Sequence, residues 1–132
     1  MVSVVLVVDA ANVVGSRPDG WWRDRAGAAA RLVSRLSSAV ASGALGGPVL
    51  VVLEGAARGG APPGVPTDGL WVVHAERDGD SAIVAQVRTL VAEDGNGAVA
   101  VVTADRALRG RLLAAGATVL GPSWLLDRLP DS

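Results

Sequence analysis

Apolar positions along the chain fall into alternating short blocks and helical stripes. Val2–Val8 is a valine-dominated run, the pattern of a strand covered on both faces in a parallel sheet. It closes on Asp9-Ala-Ala-Asn12. Beyond it, Trp22, Ala26, Ala29, Val33, Leu36 and Val40 recur at helical spacing, predicting one helix with a single apolar face. Arg23, Arg31, Ser34, Arg35 and Ser38 take its other sides, and the glycines from Gly43 to Gly47 stop it. Val49–Leu53 is a second covered strand, ending at Glu54.

Residues 55–69 are rich in Gly and Pro and carry no period, so a long loop is expected there, either a lid or a disordered connector. A third strand follows at Leu70–His74. The stretch Asp78-Gly-Asp80-Ser81 opens a helix with Ile83, Val84, Val87 and Val91 inward, and Asp80 or Ser81 is the expected N-cap. A turn at 94–97 leads to a fourth strand, Ala98–Val102, and then to Thr103-Ala-Asp105. The next helix runs to Ala115, with Gly116 behind it. A short fifth strand at Thr118–Leu120 and a last helix at Pro122–Leu129 complete the chain.

Strands alternating with helices predict an α/β domain with an open, mostly parallel sheet and helices on both faces. At 132 residues the chain is expected to form one domain, spanning 1–132. In such sheets ligands bind beyond the carboxyl ends of the strands. Asp9, Glu54 and Asp105 lie at or just past three of those ends, and Asp78 and Asp80 sit where the third strand passes to its helix. All are predicted to share one edge. An acid closing a fully apolar strand is costly unless something compensates it. Converging carboxylates repel by several kcal/mol per close pair at an effective dielectric of about 20. Such a cluster needs protons or a cation.

Composition narrows the chemistry. There is no Cys, which excludes thiolate catalysis and zinc–thiolate sites. A single His, His74, excludes multi-histidine metal sites and reads as a strand-end residue. All twelve basic residues are Arg, so no lysine-dependent mechanism applies. That removes receiver domains and haloacid-dehalogenase phosphatases, which also gather acids at a sheet edge. Hard oxygen donors without His or Cys favour Mg2+ or Mn2+. With a net charge of −1 no broad basic surface is expected. No membrane span or signal peptide is legible, and a cytoplasmic location is expected.

The ordered motifs Asp9-Ala-Ala-Asn12, Val-Leu-Glu54-Gly, Asp80-Ser-Ala-Ile83 and Val-Val-Thr103-Ala-Asp105-Arg106 resemble the NYN branch of the PIN-like nucleases over nearly the whole chain. The resemblance implies a three-layer PIN-like domain with a five-stranded sheet ordered 3-2-1-4-5. It further implies Mg2+- or Mn2+-dependent phosphodiester hydrolysis, usually of RNA. By position, Asp9, Asp80 and Asp105 would hold the metal, and Glu54 would take the acidic place after the second strand. Asn12, Asp78, Ser81 and Thr103 would support the site. Departures are Ser81, where a second acid is common, and Glu54, where Asp is common; both put metal stoichiometry in question.

Arg17, Arg106 and Arg109 are the expected contacts to substrate phosphate, with Arg17, Arg23 and Arg25 forming a local basic cluster beside the first motif. Trp21 is the tryptophan expected to be exposed, available to stack on a base, whereas Trp22, Trp71 and Trp124 read as packing. Two other readings stay open: a weakly catalytic module binding RNA or nucleotides, or a hydrolase of a small nucleotide. A homodimer, or a partner of the antitoxin kind, is not legible in the sequence.

Overall fold

The computed structural model describes residues 4–94 and 98–131. The first strand, β1, spans Val5–Asp9, and the expected strand residues Val2 and Ser3 lie outside the described residues, as does most of the 94–97 turn. A short helix α1 (Ala10–Gly15) follows at once, and a 3-10 turn (Trp21–Arg23) leads into α2 (Arg25–Ser42). The remaining elements are β2 (Val49–Leu53), a second 3-10 turn (Gly55–Gly60), β3 (Gly64–Thr67), β4 (Leu70–His74), α3 (Gly79–Asp94), β5 (Val99–Val102), α4 (Arg106–Ala114), β6 (Thr118–Leu120) and α5 (Pro122–Leu126).

The sheet is ordered β3-β4-β2-β1-β5-β6, parallel throughout except for β3, which runs antiparallel along β4. Without β3 this is the expected 3-2-1-4-5 order. Strand residues alternate between two cores. Leu6, Val8, Val49, Val51 and Leu53 pack with α1, α2 and α5 on one face. Val7, Leu50, Val52, Val99 and Val101 pack with α3 and α4 on the other. Three layers result, and the valine runs are explained: every position of β2 and β5, and all but the first of β1, is buried between helices.

Several expectations need correction. The single helix expected after β1 is divided, because Gly20 adopts φ +83 and the Asp24 carboxylate caps a new helix by accepting from the Gly27 amide at 2.9 Å. Trp22 thereby leaves the apolar stripe and is 51% exposed, while Trp21 is half-buried, the reverse of the expected roles. Trp71 alternates outward from β4 and is 43% exposed, because only the Leu70, Val72 side of that strand faces α2. Trp124 packs against the core as expected. The final helix stops at Leu126 rather than Leu129.

The Gly/Pro segment is ordered rather than a disordered connector. Its 3-10 turn lies flat on α2: a Cβ placed on Gly60 would stand 2.5 Å from the Ala26 carbonyl and 2.8 Å from the Ala29 Cβ. Only glycine permits that approach. The segment then forms β3, and the Nε2 atom of His74 lies 2.7 Å from the Ala61 carbonyl oxygen, tying the loop to the end of β4. Glycine-rich composition served close packing here rather than mobility.

Candidate active site

Register brings the acids together. β1 lies between β2 and β5, with Val8 opposite Val102 and Asp9 opposite Val52. Asp9 continues the stripe of Val7, Thr103 that of Val101, and Glu54 that of Val52, so all three lie on the α3/α4 side by strand alternation. There α3 begins, carrying Asp80 in its first turn.

Asp9 is 6% exposed and Thr103 is 3% exposed; they are the buried polar residues of the described chain. The Thr103 hydroxyl donates to Asp9 Oδ2 at 2.9 Å, and its oxygen accepts the Asp105 amide at 3.2 Å. Asp9 Oδ1 accepts the Asn12 amide at 3.3 Å, capping α1, while Asn12 Oδ1 accepts the Ala104 amide at 2.8 Å. Asp105 caps α4 by accepting from the Leu108 amide at 3.0 Å. Thus Asn12 and Thr103 stitch the β1 motif to the β5 motif. Thr103→Val preserves shape but strands a carboxylate oxygen and a backbone amide. It is expected to destabilise the fold by about 1–3 kcal/mol, measured by urea unfolding.

On the other side, Glu54 Oε2 accepts the Gly79 amide at 2.7 Å, pinning the start of α3 to the end of β2. The N-cap of α3 is neither Asp80 nor Ser81. It is Asp78, whose carboxylate accepts the Ser81 amide at 2.9 Å. With the cap one turn-start earlier, the Asp80 carboxylate is left free of that duty. Ser81 contributes its backbone amide to the cap.

The charges act on one another. Burial, opposed by the Thr103 and Asn12 hydrogen bonds, raises the Asp9 carboxyl, and the negative Asp80 and Glu54 raise it further. Asp80 is raised by partial burial and then by Asp105, Asp78 and Glu54, with Arg111 opposing. Asp80 thus feels Asp105, Asp78 and Glu54, and itself acts on Asp9. The Ser81 hydrogen bonds hold exposed Asp78 below the ordinary carboxylate range. Arg111 is the participant that sequence reading missed. It lies toward the end of α4, and only the packing of α4 beside α3 brings its charge to bear on Asp78 and Asp80.

The carboxylates share an edge without closing on one point. Among the described residues, no three His, Asp or Glu side chains are grouped closely enough to hold one metal ion. Asp9 and Asp105 each commit an oxygen to a helix cap, and Glu54 commits one to Gly79. The donor set nevertheless fits a hard cation. All its donors are oxygen, two of its members are disfavoured as anions, and Mg2+ commonly takes only one or two carboxylates, filling its shell with water and substrate phosphate.

The arginines divide into separate places. Arg106 and Arg109 are exposed and line a cavity of about 260 Å3 with Thr103 and Asp105. Arg17 does not face the acids. It joins Arg31 and Arg35 in a groove beside α2, because α1 is only one and a half turns long and its exit carries Arg17 away from the edge. Of the expected Arg17, Arg23, Arg25 cluster, Arg17 lies in this groove, while Arg23 lies 5.9 Å from the ring centre of Trp22 and Arg25 lies 5.2 Å from that of Trp21.

This architecture has solved counterparts. A crystal structure of Rae1 (YacP) from Bacillus subtilis superposes with a TM-score of 0.63 at 18% identity, covering 93% of this chain and 71% of that one. A single-residue variant of the same protein gives a TM-score of 0.69 at 20% identity, covering 93% and 72%. The fold is PIN-like. No sequence family and no curated protein matches the chain. In this PIN-like sheet the acidic edge occupies the carboxyl ends of β1, β2 and β5, where doubly wound sheets place their ligands. Among the described residues, no helix is long and apolar enough to cross a membrane.

Proposed function

We propose that the protein is a divalent-cation-dependent phosphodiester hydrolase acting on RNA. The observation that carries this is the electrostatic coupling of Asp80 to Asp105 and Glu54, and of buried Asp9 to Asp80 and Glu54, on one end of a parallel sheet. Folding here works against solvating these negative groups, which is what a site for a positive ligand requires.

One or two of Asp9, Asp80 and Asp105 would hold Mg2+ or Mn2+, with water and substrate phosphate filling the shell; when bound the cation would supply charge neutralisation and an activated water. The chain's own residues prepare the ground. Thr103 and Asn12 hold the β1 and β5 motifs in register; Glu54 fixes the start of α3 and orients water at the edge. Arg106 and Arg109 take the flanking phosphate at the start of α4, where the helix end also favours anions. A second reading, a weakly hydrolytic RNA- or nucleotide-binding module, is favoured by the absence of a three-carboxylate grouping among the described residues.

Two measurements decide between them. Labelled RNA incubated with Mn2+ is cleaved, and EDTA stops the cleavage; intact RNA under both conditions would support the binding module instead. Mn2+ also raises the melting temperature, by about 2.7 kcal/mol of added stability at a hundredfold excess over its Kd. That increment shrinks as pH falls, because Asp9 and Asp80 take up protons above the ordinary carboxylate value of 3.8. A cation effect that is flat down to pH 4 would argue against these two ligands.

A further inference from the structure

Two cavities on the α1/α2 face adjoin each other and share Val14. The first, about 280 Å3, starts directly behind the acidic edge, between Ala10, Ala11 and Glu54, and is walled by Ala57, Trp21 and Arg25. Its size falls just below the usual range for small-molecule pockets, enough for a nucleoside. The second, about 140 Å3, is a groove bordered by Arg17, Arg31 and Arg35 against one acid, Asp19. Asp19 accepts the Trp21 amide at 3.2 Å, and Arg35 donates from Nε to the Pro130 carbonyl at 2.8 Å, so Arg17 and Arg31 are the more available charges.

We infer that this face carries a single strand of RNA away from the carboxylate edge, stacking a base on Trp21 and meeting phosphates with Arg17 and Arg31. The assignment rests on the hydrolase reading only in that the strand leads to the same edge. Three arginines in one groove of a chain with net charge −1 form a local attraction for a polyanion. An aromatic wall beside them alternates surfaces for base and backbone, the arrangement of single-strand binders. Arg25, 5.2 Å from the Trp21 ring centre, adds a cation to the cavity wall. Paired bases could not reach such a wall, so an unpaired strand is the occupant.

Binding of a short labelled oligoribonucleotide, followed by anisotropy in EDTA, separates this from cleavage. Trp21→Ala weakens binding roughly 5- to 100-fold with an unchanged salt dependence, while Trp21→Phe stays near wild type. Arg17→Gln with Arg31→Gln lowers the slope of log affinity against log salt by roughly 0.7 per arginine. Melting curves confirm that each variant is folded. Wild-type affinity and slope in Trp21→Ala and in the arginine pair would overturn the assignment and leave the face to a protein partner. Wild-type protein that binds in this manner yet leaves RNA intact with Mn2+ would sink the hydrolase and keep the track; cleavage with both variants binding normally would do the opposite.

Discussion

Asp9→Asn is expected to abolish Mn2+-dependent RNA cleavage while leaving the protein at least as stable as wild type in EDTA. The two effects have one cause. Asp9 is buried, and folding raises its carboxyl above 3.8, so the native state disfavours its charge at neutral pH. The sign follows from linkage: native Asp9 binds a proton more readily than unfolded Asp9, so stability falls as pH rises through the raised native value. Asparagine carries no charge to desolvate, and its carbonyl oxygen can still accept one of the two hydrogen bonds. The melting temperature of Asp9→Asn should therefore exceed that of wild type at pH 7, with the gap closing as pH falls toward 3.8.

Activity moves the other way. Loss of an outer-shell partner of a metal typically costs ~10–100-fold, and loss of a direct ligand more. Asp105→Asn should cripple cleavage similarly, since it removes another of the carboxylates proposed to hold the cation. Full cleavage by both variants would remove the hydrolase reading. A lower melting temperature for Asp9→Asn in EDTA would show that the buried charge is not a burden on the fold.

Gly60→Val should be the most disruptive change outside the edge. Even a Cβ at this position collides with the Ala26 carbonyl, the Ala29 Cβ and the Ala30 amide, two of them α2 backbone atoms that cannot rotate away. Overpacking of this kind costs about 1–3 kcal/mol, and valine extends the clash beyond the Cβ. The 3-10 turn should lift from α2, and with it Gly55 and Ala57, which line the cavity beside Trp21. A fall in melting temperature of several degrees, with RNA binding weakened more than cation binding, is the expected pattern. Unaltered stability would show that the turn is not seated on α2 as described.

Sequence by itself determined the framework of this protein. Continuous valine runs could only be strands covered on both faces, and Asp9, Glu54 and Asp105 had to emerge at one edge because parallel strands all end on the same side. Tertiary structure decided what depends on distance between elements. Asp78 rather than Asp80 caps α3, a shift of two residues that spacing leaves open. Arg17 points into a different groove from the acids, Arg111 reaches them from the far end of α4, and Trp21 and Trp22 exchange roles because Gly20 breaks the helix between them and β1. The glycine-rich segment looked mobile because close packing of backbone on backbone needs glycine just as mobility does, and composition cannot tell the two apart. Periodicity reports which way a side chain faces within its own element; which neighbours meet it there is set by how the elements pack.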